Sequence, residues 1–259
     1  MVRVVVSGCA GKMGSRIAAL AQPSINKPPV DLVGAVEAKG HPAVGKDLGE
    51  VLGEKPTGLK ITDDLASALK KGDVLVEFTM PEATIDHLRI ALSLKKAMVI
   101  GTTGFPDADR QLITEASKAI PIVFSPNMSV GVNVLFELVQ AAAKRLGPSF
   151  DVKMTEAHHA HKKDKPSGTA KRLQELLANV RSQWHLPAEI PCESIRQGEI
   201  VGDHTVIFSG PFERLELMHH AESRDVFALG ALKAAQFVAS QPPGLYDMSH
   251  VLQASGLRG

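Results

Sequence analysis

The sequence predicts an α/β protein with a doubly wound parallel sheet, followed by a second α+β domain with an open mixed, mostly antiparallel sheet. In the first half, short apolar runs alternate with helical segments, a rhythm typical of parallel sheets. In the second half, longer amphipathic helices and alternating strand-like segments are joined by polar turns, as in antiparallel sheets. Aromatic residues make up only 4% of the chain, which favours an α/β core over an aromatic-rich β-sandwich.

The first half contains five strand candidates with helices between them. Residues 2–7 form a continuous apolar run, as expected for a strand buried on both faces. Further strands are predicted at 32–37, 74–78, 98–100 and 120–124, and helices at 12–22, 65–69, 82–94 and 107–119. Their short connections predict right-handed crossovers and one shared edge for the carboxyl ends of the strands.

The second half begins with a long helix, and its strands alternate in polarity. Helices are predicted at 129–146, 167–180 and 226–239, and strands at 151–156, 193–197, 204–209 and 214–219. We place one domain at 1–129 and another at 130–229. The C-terminal segment from about residue 230 to residue 259 is expected to pack back on the first domain, with 241–244 as a surface turn.

Composition narrows the function classes. A formal net charge of +1 gives no long-range attraction to nucleic acid or to an acidic membrane. The two cysteines, Cys9 and Cys192, have neither a disulfide pattern nor metal-ligand spacing. The chain enters its first strand without a basic or cleavable apolar leader, and polar residues interrupt its longest apolar stretches. We therefore expect a cytoplasmic protein that binds neither membrane, nucleic acid nor metal.

A glycine-rich loop follows the first strand and opens the first helix. Glycines let the backbone turn tightly and approach a pyrophosphate, which binds N–H groups at the helix N-terminus. Ala10 replaces the usual middle glycine of G-x-G-x-x-G, and such a turn can also serve packing alone. Glu37 closes the next strand, where a carboxylate can accept hydrogen bonds from ribose hydroxyls, so the context favours a Rossmann-like nucleotide site. The cofactor contacts predicted here are Gly8, Cys9, Ala10, Gly11, Lys12, Met13 and Glu37.

Two more loops follow predicted strands and extend this site. They could be ordinary turns, but ligands of open α/β sheets bind outside the carboxyl ends of the strands. Both loops are therefore predicted to border the same crevice. Their cofactor contacts would be Gly101, Thr102, Thr103, Ser125, Pro126, Asn127 and Met128.

A histidine–lysine cluster is the most informative stretch. Three histidines and three lysines lie within residues 158–165, immediately before the Ser-Gly-Thr start of a helix. Such a cluster can attract a carboxylate-rich substrate and supply protons near neutral pH. A zinc site is the alternative, although three lysines would repel a cation. A solvated charged loop is another alternative. The capped helix favours a substrate site, because its first N–H groups can bind an anion.

These motifs, in this order, resemble one family. The chain is similar to the 4-hydroxy-tetrahydrodipicolinate reductases, also called dihydrodipicolinate reductases, along nearly its whole length. The resemblance rests on the glycine loop, on 101–104, 125–133 and 156–170, and on the motifs at 196–204 and 223–231. It implies NADH or NADPH as cofactor, a small dicarboxylate as substrate and a homotetramer built through the sheets of the second domain.

The resemblance also implies roles for individual residues. His158 and Lys162 would be the proton donors. The residues that would hold the substrate are His159, Ser167, Gly168 and Thr169. The first domain would bind the dinucleotide, and the second would bind the substrate and form the oligomer.

Three departures from the family pattern stand out. Ala38 replaces an arginine that many members carry for the 2′-phosphate of NADPH, so we predict that both cofactors work, with NADH equal or preferred. Lys165 stands where a small residue is usual, and segment 181–195 is shorter than in some members. The alternative functions are an aspartate-type dehydrogenase, which also needs a nicotinamide and a dicarboxylate, and a non-catalytic NAD(P)H-sensing protein.

Overall fold

The computed structural model describes residues 1–22 and 30–256. The chain divides into two compact units, Met1–Ser129 with Asp225–Gly259 and Val130–Arg224. The second unit ends shortly before residue 229, where the sequence analysis places its boundary. Among the described residues, no helix combines the length and the apolar character needed to span a membrane.

The elements follow one another in chain order as β1 (Val2–Ser7), α1 (Gly14–Leu20), β2 (Val30–Val36), α2 (Leu48–Val51), α3 (Leu65–Lys71), β3 (Val74–Glu77), α4 (Pro81–Ser93), β4 (Ala97–Ile100), α5 (Asp107–Ser117), β5 (Pro121–Phe124), α6 (Val130–Leu146), β6 (Asp151–His158), α7 (Gly168–Ser182), β7 (Cys192–Arg196), β8 (Asp203–Ser209), β9 (Arg214–His220), α8 (Asp225–Val238), β10 (Gly244–Tyr246) and α9 (Met248–Gly256).

The first unit contains a parallel sheet with the strand order β10-β5-β4-β3-β1-β2. From β1 the chain adds β2 on one side and then returns to add β3 on the other. This reversal is the switch point at which open α/β sheets bind their ligands. The predicted doubly wound parallel sheet is thereby confirmed. Its central strands are buried on both faces, which explains their continuous apolar runs.

Helix α8 packs closely on the loop that follows β5. A Cβ placed on Gly230 would lie 1.7 Å from the carbonyl oxygen of Met128. Only a glycine therefore permits this approach of helix and backbone. The contact gives a packing reason for the glycine in the 223–231 motif.

The second unit contains a sheet with the order β7-β6-β8-β9. β6 pairs with β7 in parallel, whereas β6 with β8 and β8 with β9 are antiparallel, so the predicted mixed, mostly antiparallel sheet is confirmed. One core cluster joins this sheet to α6 and α7. Its buried members include Leu135, Val139, Met154, Leu173, Leu177, Val206 and Phe208.

Three short elements, α2, β10 and α9, were not predicted from the sequence. Helix α2 has four residues, which is too few for a helical period to show, and Asp47 caps it by accepting hydrogen bonds from Gly49 and Glu50. Strand β10 has three residues and pairs with β5 at the sheet edge, directly after the predicted turn. Helix α9, which follows it, was not predicted either.

The Gly230 contact can be tested by Gly230→Ala. Alanine normally stabilises a helix interior by about 1 kcal/mol relative to glycine. Here the added methyl group would meet main-chain oxygen, so we expect a net loss of roughly 1–3 kcal/mol in the free energy of unfolding. Urea denaturation measures this quantity. Lys233→Ala, at an exposed position of the same helix, should change it by less than about 0.5 kcal/mol. Unchanged or increased stability of Gly230→Ala would refute the contact.

Candidate active site

The predicted cofactor loops leave the first unit at one edge of its sheet. Ser7 is aligned with Val36 and with Glu77, and Ile100 is aligned with both Glu77 and Phe124. The strands β1 to β5 therefore end at the same level. The residues that follow these ends include Gly8, Glu37, Gly101 and Ser125, so the structure places the predicted loops along a single edge.

The glycine loop owes its spacing to close backbone contacts. Gly8 has φ of +70°, and a Cβ there would lie 2.9 Å from the carbonyl oxygen of Phe78. A Cβ at Gly14 would lie 1.9 Å from the carbonyl oxygen of Gly8. Ala10 N–H donates to the Glu37 carboxylate at 2.7 Å, which holds Glu37 beside the loop. A carboxylate offers about four acceptor positions, so Glu37 retains capacity for ribose hydroxyls.

Several predicted cofactor residues can offer only their backbone. Thr102 Oγ1 accepts hydrogen bonds from Thr79 N–H at 3.1 Å and from Thr84 Oγ1 at 2.9 Å. The Ser125 hydroxyl donates to the carbonyl oxygen of Asn127 at 2.9 Å. The side chains of Cys9, Thr102, Ser125 and Met128 are buried. The exposed members of the predicted set are Gly11, Lys12, Thr103 and Pro126.

Cys9 is a packed loop residue with no exposed surface. Burial, with a smaller contribution from the charge of Glu37, raises the pKa of the Cys9 thiol to about 12. The thiolate is the reactive form of cysteine. Cys9 is therefore in the less reactive thiol form at neutral pH.

The segment Phe78–Thr79 belongs to this edge, although the sequence analysis assigns it no role. A Cβ on Gly101 would lie 2.1 Å from the Phe78 ring, and a Cβ on Gly8 would lie 3.0 Å from Thr79 Cγ2. The segment therefore lies between the two glycine-containing loops. Its position after β3 was the available signal, because the same rule identified the other loops.

In the second unit, the inner face of the sheet changes from apolar to polar toward one end. Alternation along β6 places Met154, Glu156 and His158 on the same buried face. On β8, His204 lies opposite Glu156, and on β7 Arg196 is aligned with His158. The strand register thus extends the apolar core into a cluster of ionisable groups.

Glu156 is the centre of this cluster. Arg196 donates two hydrogen bonds to its carboxylate, at 2.7 and 2.9 Å. His158 Nδ1 lies 2.5 Å from the same carboxylate, and Ser167 N–H donates to it at 3.3 Å. Burial alone would raise the pKa of Glu156, but hydrogen bonds from Arg196, Ser194 and His158 lower it to about 2. Glu156 is therefore ionised at neutral pH.

His158 lies among opposing influences. Burial lowers its pKa, the Glu156 carboxylate opposes this, and the positive charges of Lys162 and Arg196 lower the pKa further. In the free protein His158 is consequently mostly neutral at pH 7. Lys162, the second predicted proton donor, forms a 2.9 Å ion pair with Asp164. The structure thus brings Lys162 into the electrostatic range of His158.

Helix α7 begins beside this cluster. Ser167 is its N-cap and accepts a hydrogen bond from Ala170 N–H; its hydroxyl also lies 3.1 Å from His204 Nε2. The buried Ser167 side chain therefore serves the fold. Gly168 is exposed, and no atom lies within 4 Å of a Cβ placed on it. Open space beside the first N–H groups of a 15-residue helix suits an anion.

A metal ion fits this cluster poorly. Glu156, His158 and His204 offer ligand atoms within 4.8 Å of one another. Arg196, however, already occupies both oxygens of Glu156, and Lys162 adds another positive charge nearby. Burial and the neighbouring His158 lower the pKa of His204 to about 3, so it is a neutral member of the cluster. We assign no metal to this cluster.

Comparison with known proteins identifies the family. A family model described as the dihydrodipicolinate reductase N-terminus matches residues 2–128, and the corresponding C-terminus model matches residues 131–252. The chain belongs to the dihydrodipicolinate reductase family. The predicted family resemblance is therefore confirmed.

Relatives in this family match the chain over its full length. The 4-hydroxy-tetrahydrodipicolinate reductase of Syntrophobacter fumaroxidans is 47% identical, with 97% of this chain and 99% of the relative covered. The reductase of Anaeromyxobacter dehalogenans strain 2CP-1 is 44% identical, with 100% of this chain and 99% of the relative covered. A solved structure of dipicolinate-bound dihydrodipicolinate reductase from Paenisporosarcina sp. TG-14 superposes with a TM-score of 0.77 at 25% identity. The superposition covers 95% of this chain and 97% of the Paenisporosarcina chain.

The structure explains the presence of Arg196 and His204 in the dihydrodipicolinate reductase family pattern. Both belong to the 196–204 motif that carries the resemblance, but the sequence analysis gives neither a role in the site. The sequence pattern that could have identified them was the alternation of buried and exposed residues along β6 and β8, together with the position of His158. Which strand would pair with β6, and in which register, could not be read from the sequence.

Proposed function

We propose that the protein reduces 4-hydroxy-tetrahydrodipicolinate, by way of dihydrodipicolinate, to tetrahydrodipicolinate in lysine and diaminopimelate biosynthesis. Its electron donor would be NADH or NADPH. The observation that carries the proposal is the position of His158. Its ring contacts the buried Glu156 carboxylate and lies within the electrostatic range of Lys162, in a unit whose helix α7 starts with open space beside Gly168. The relative from Paenisporosarcina sp. holds dipicolinate, a dicarboxylate of the same kind.

The cofactor site is assigned to the first unit. A bound nicotinamide supplies a hydride. The backbone of residues 8–13, 101–103 and 125–128 follows the carboxyl ends of the strands, the edge at which open α/β sheets bind dinucleotides. Glu37 would accept hydrogen bonds from the adenosine ribose, since its carboxylate is held at the glycine loop by Ala10.

The substrate site is assigned to the second unit. Backbone N–H groups of Gly168 and Thr169 at the start of α7 would bind one carboxylate. His159 is half-buried, with its ring 6.4 Å from that of His161, and would contact the same substrate. Lys162 would break its ion pair with Asp164 and pair with the substrate instead, which would balance the negative charge of the substrate.

Proton transfer is assigned to His158 and Lys162. Loss of water from the hydroxylated substrate precedes reduction: the same acid can protonate the departing hydroxyl group, and the neighbouring ring carbon releases a proton to solvent as the double bond forms. Hydride addition then places electrons on the ring, and one proton completes the product. A bound dianion would raise the pKa of His158, so that this residue becomes protonated when the substrate is present.

The assembly and location are also proposed. We infer a homotetramer built through the sheets of the second unit, as the family resemblance implies. Ile195 and Met218 support this, because their side chains are 38% and 63% exposed on the outer face of the sheet. We further place the protein in the cytoplasm, where its substrate and cofactor would be available.

The proposed function is tested by following NADH and NADPH oxidation with freshly generated dihydrodipicolinate. Turnover that depends on this substrate supports the proposal. NAD-dependent oxidation of L-aspartate, without reduction of dihydrodipicolinate, would favour an aspartate-type dehydrogenase. Cofactor binding without turnover of any dicarboxylate would favour a sensing protein.

The acid groups are tested by His158→Ala and Lys162→Ala. Each variant should lower kcat by roughly 10²–10⁴-fold, the usual contribution of general acid catalysis. The dissociation constant for NADH, measured by fluorescence, should barely change, because the predicted cofactor residues lie in the other unit. Near-normal turnover in both variants would overturn the assignment. Lys163→Ala, at an exposed neighbouring position, is the matched control.

The start of α7 is tested by Gly168→Val. The space beside Gly168 is open in the protein itself, so the fold should tolerate a side chain there. Valine would instead occupy the space that a substrate carboxylate needs. We expect a strong increase in KM and a similar loss of affinity for dipicolinate, measured by calorimetry, at an unchanged melting temperature. Dipicolinate bound as tightly as by the parent would contradict the anion site.

Cofactor choice is tested by Ala38→Arg. Glu37 repels a 2′-phosphate, and Lys12 and Lys39 are exposed, so each can contribute only about 0–1 kcal/mol. Both cofactors should therefore work, with NADH equal to NADPH or preferred by up to roughly fivefold. Arginine can bind a phosphate with two hydrogen bonds, so the variant should shift the ratio of kcat/KM values toward NADPH. A strong NADPH preference in the parent would contradict our interpretation of Ala38.

A further inference from the structure

We propose that Glu156 is a positioning residue, a buried carboxylate clamped by Arg196 that keeps a proton on His158 Nδ1 and directs Nε2 to the reacting substrate. This inference rests on the proposed role of His158 as a proton donor. It adds the reason why this histidine presents one particular nitrogen. It also assigns Arg196 the task of holding Glu156 in place.

The hydrogen bonds around Glu156 fix the tautomer. An ionised carboxylate only accepts hydrogen bonds. Glu156 Oε2 lies 2.5 Å from His158 Nδ1, so Nδ1 must carry a proton. The second nitrogen, Nε2, is then the one that gains or loses a proton. A neutral His158 offers a lone pair at Nε2, and its cation offers an N–H bond to the substrate.

Arg196 fixes the carboxylate in turn. Its two terminal nitrogens reach the two Glu156 oxygens at 2.7 and 2.9 Å, in the parallel geometry of a bidentate pair. The Glu156 side chain is 0% exposed and that of Arg196 is 6% exposed. Arg196 also donates to the carbonyl oxygen of Asp164 at 2.6 Å, and Ser167 N–H donates to Glu156. The carboxylate therefore cannot rotate away from His158 without breaking several bonds.

Gly202 lies close to the imidazole of His158 on the side of Nε2. A Cβ on Gly202 would lie 3.1 Å from His158 Nε2, which is closer than ordinary van der Waals contact. The His204 ring stands edge-on to His158, at a centroid distance of 5.1 Å. Because residue 202 is a glycine, no side chain from this position crowds Nε2.

The charges that face His158 predict how its titration responds. Glu156 favours the imidazolium, Lys162 and Arg196 oppose it, and His204 is neutral. Replacing Glu156 by glutamine removes the favourable charge and keeps the shape. The donor is the protonated form, so activity falls as pH rises through its pKa. The alkaline limb of the kcat profile should therefore move to lower pH in Glu156→Gln.

The experiment compares the parent protein with Glu156→Gln and with Glu175→Gln. Glu175 lies on α7, where it forms an exposed ion pair with Arg172, and serves as the control for charge removal. We expect kcat to fall about 10–100-fold in Glu156→Gln, with the shifted alkaline limb and an unchanged dissociation constant for NADH. The control should match the parent in all three. A merely structural role would lower stability without shifting the pH profile.

Nitrogen-15 NMR of His158 in the parent protein gives a reading that needs no variant to fold. We expect the proton of neutral His158 on Nδ1. A proton on Nε2 would overturn the proposal, and so would a parent-like kcat and pH profile in Glu156→Gln. If that variant does not fold, Glu156→Asp keeps the charge but shortens the reach to His158, and the same loss of kcat is expected. Failure of the proposed role of His158 would appear separately, as full turnover by His158→Ala, and failure of the proposed function as no turnover of dihydrodipicolinate by the parent.

Discussion

The burial of the Glu156 charge is the constraint on which the second unit depends. An ionised carboxylate without solvent must be paired and hydrogen-bonded, because its desolvation is costly. Its partners are His158, which lies with Glu156 on β6, Arg196 at the end of β7, and Ser167 at the start of α7. The Arg196 pair joins β7 to β6, which lie in parallel. The Ser167 hydrogen bond joins the start of α7 to the same carboxylate, so a single charge connects His158 with the helix N-terminus.

In the first unit the corresponding constraint is backbone contact. Gly8, Gly14 and Gly101 each occupy a place where a Cβ would collide with neighbouring backbone or with the Phe78 ring. Their spacing therefore reflects the packing of β1, α1 and the segment after β3, and it also leaves the main chain accessible for a phosphate. Packing and binding interpretations of the glycine loop are compatible, since the same missing side chains serve both.

The sequence predicts long elements and loop positions well, because the periods of buried strands and amphipathic helices are local properties. The glycine loop, Glu37 and the His158–Thr169 stretch were identified on that basis. It did not reveal that Glu156, Arg196 and His204 meet, since their contact depends on the pairing of β6 with two strands distant in sequence. Nor did it separate backbone from side-chain roles: Ser167, Thr102 and Ser125 are buried and hydrogen-bonded within the protein. For Lys165, the structure offers no explanation.

The central claim is that a dicarboxylate binds between the start of α7 and the His158 that Glu156 orients. The most direct measurement is a crystal structure of the protein with NADH and dipicolinate. We predict a carboxylate within about 3 Å of the N–H groups of Gly168 and Thr169, His158 Nε2 facing the ligand, and Arg196 still paired with Glu156. Dipicolinate bound elsewhere, or a His158 that has left Glu156 to bind it through Nδ1, would contradict this binding mode.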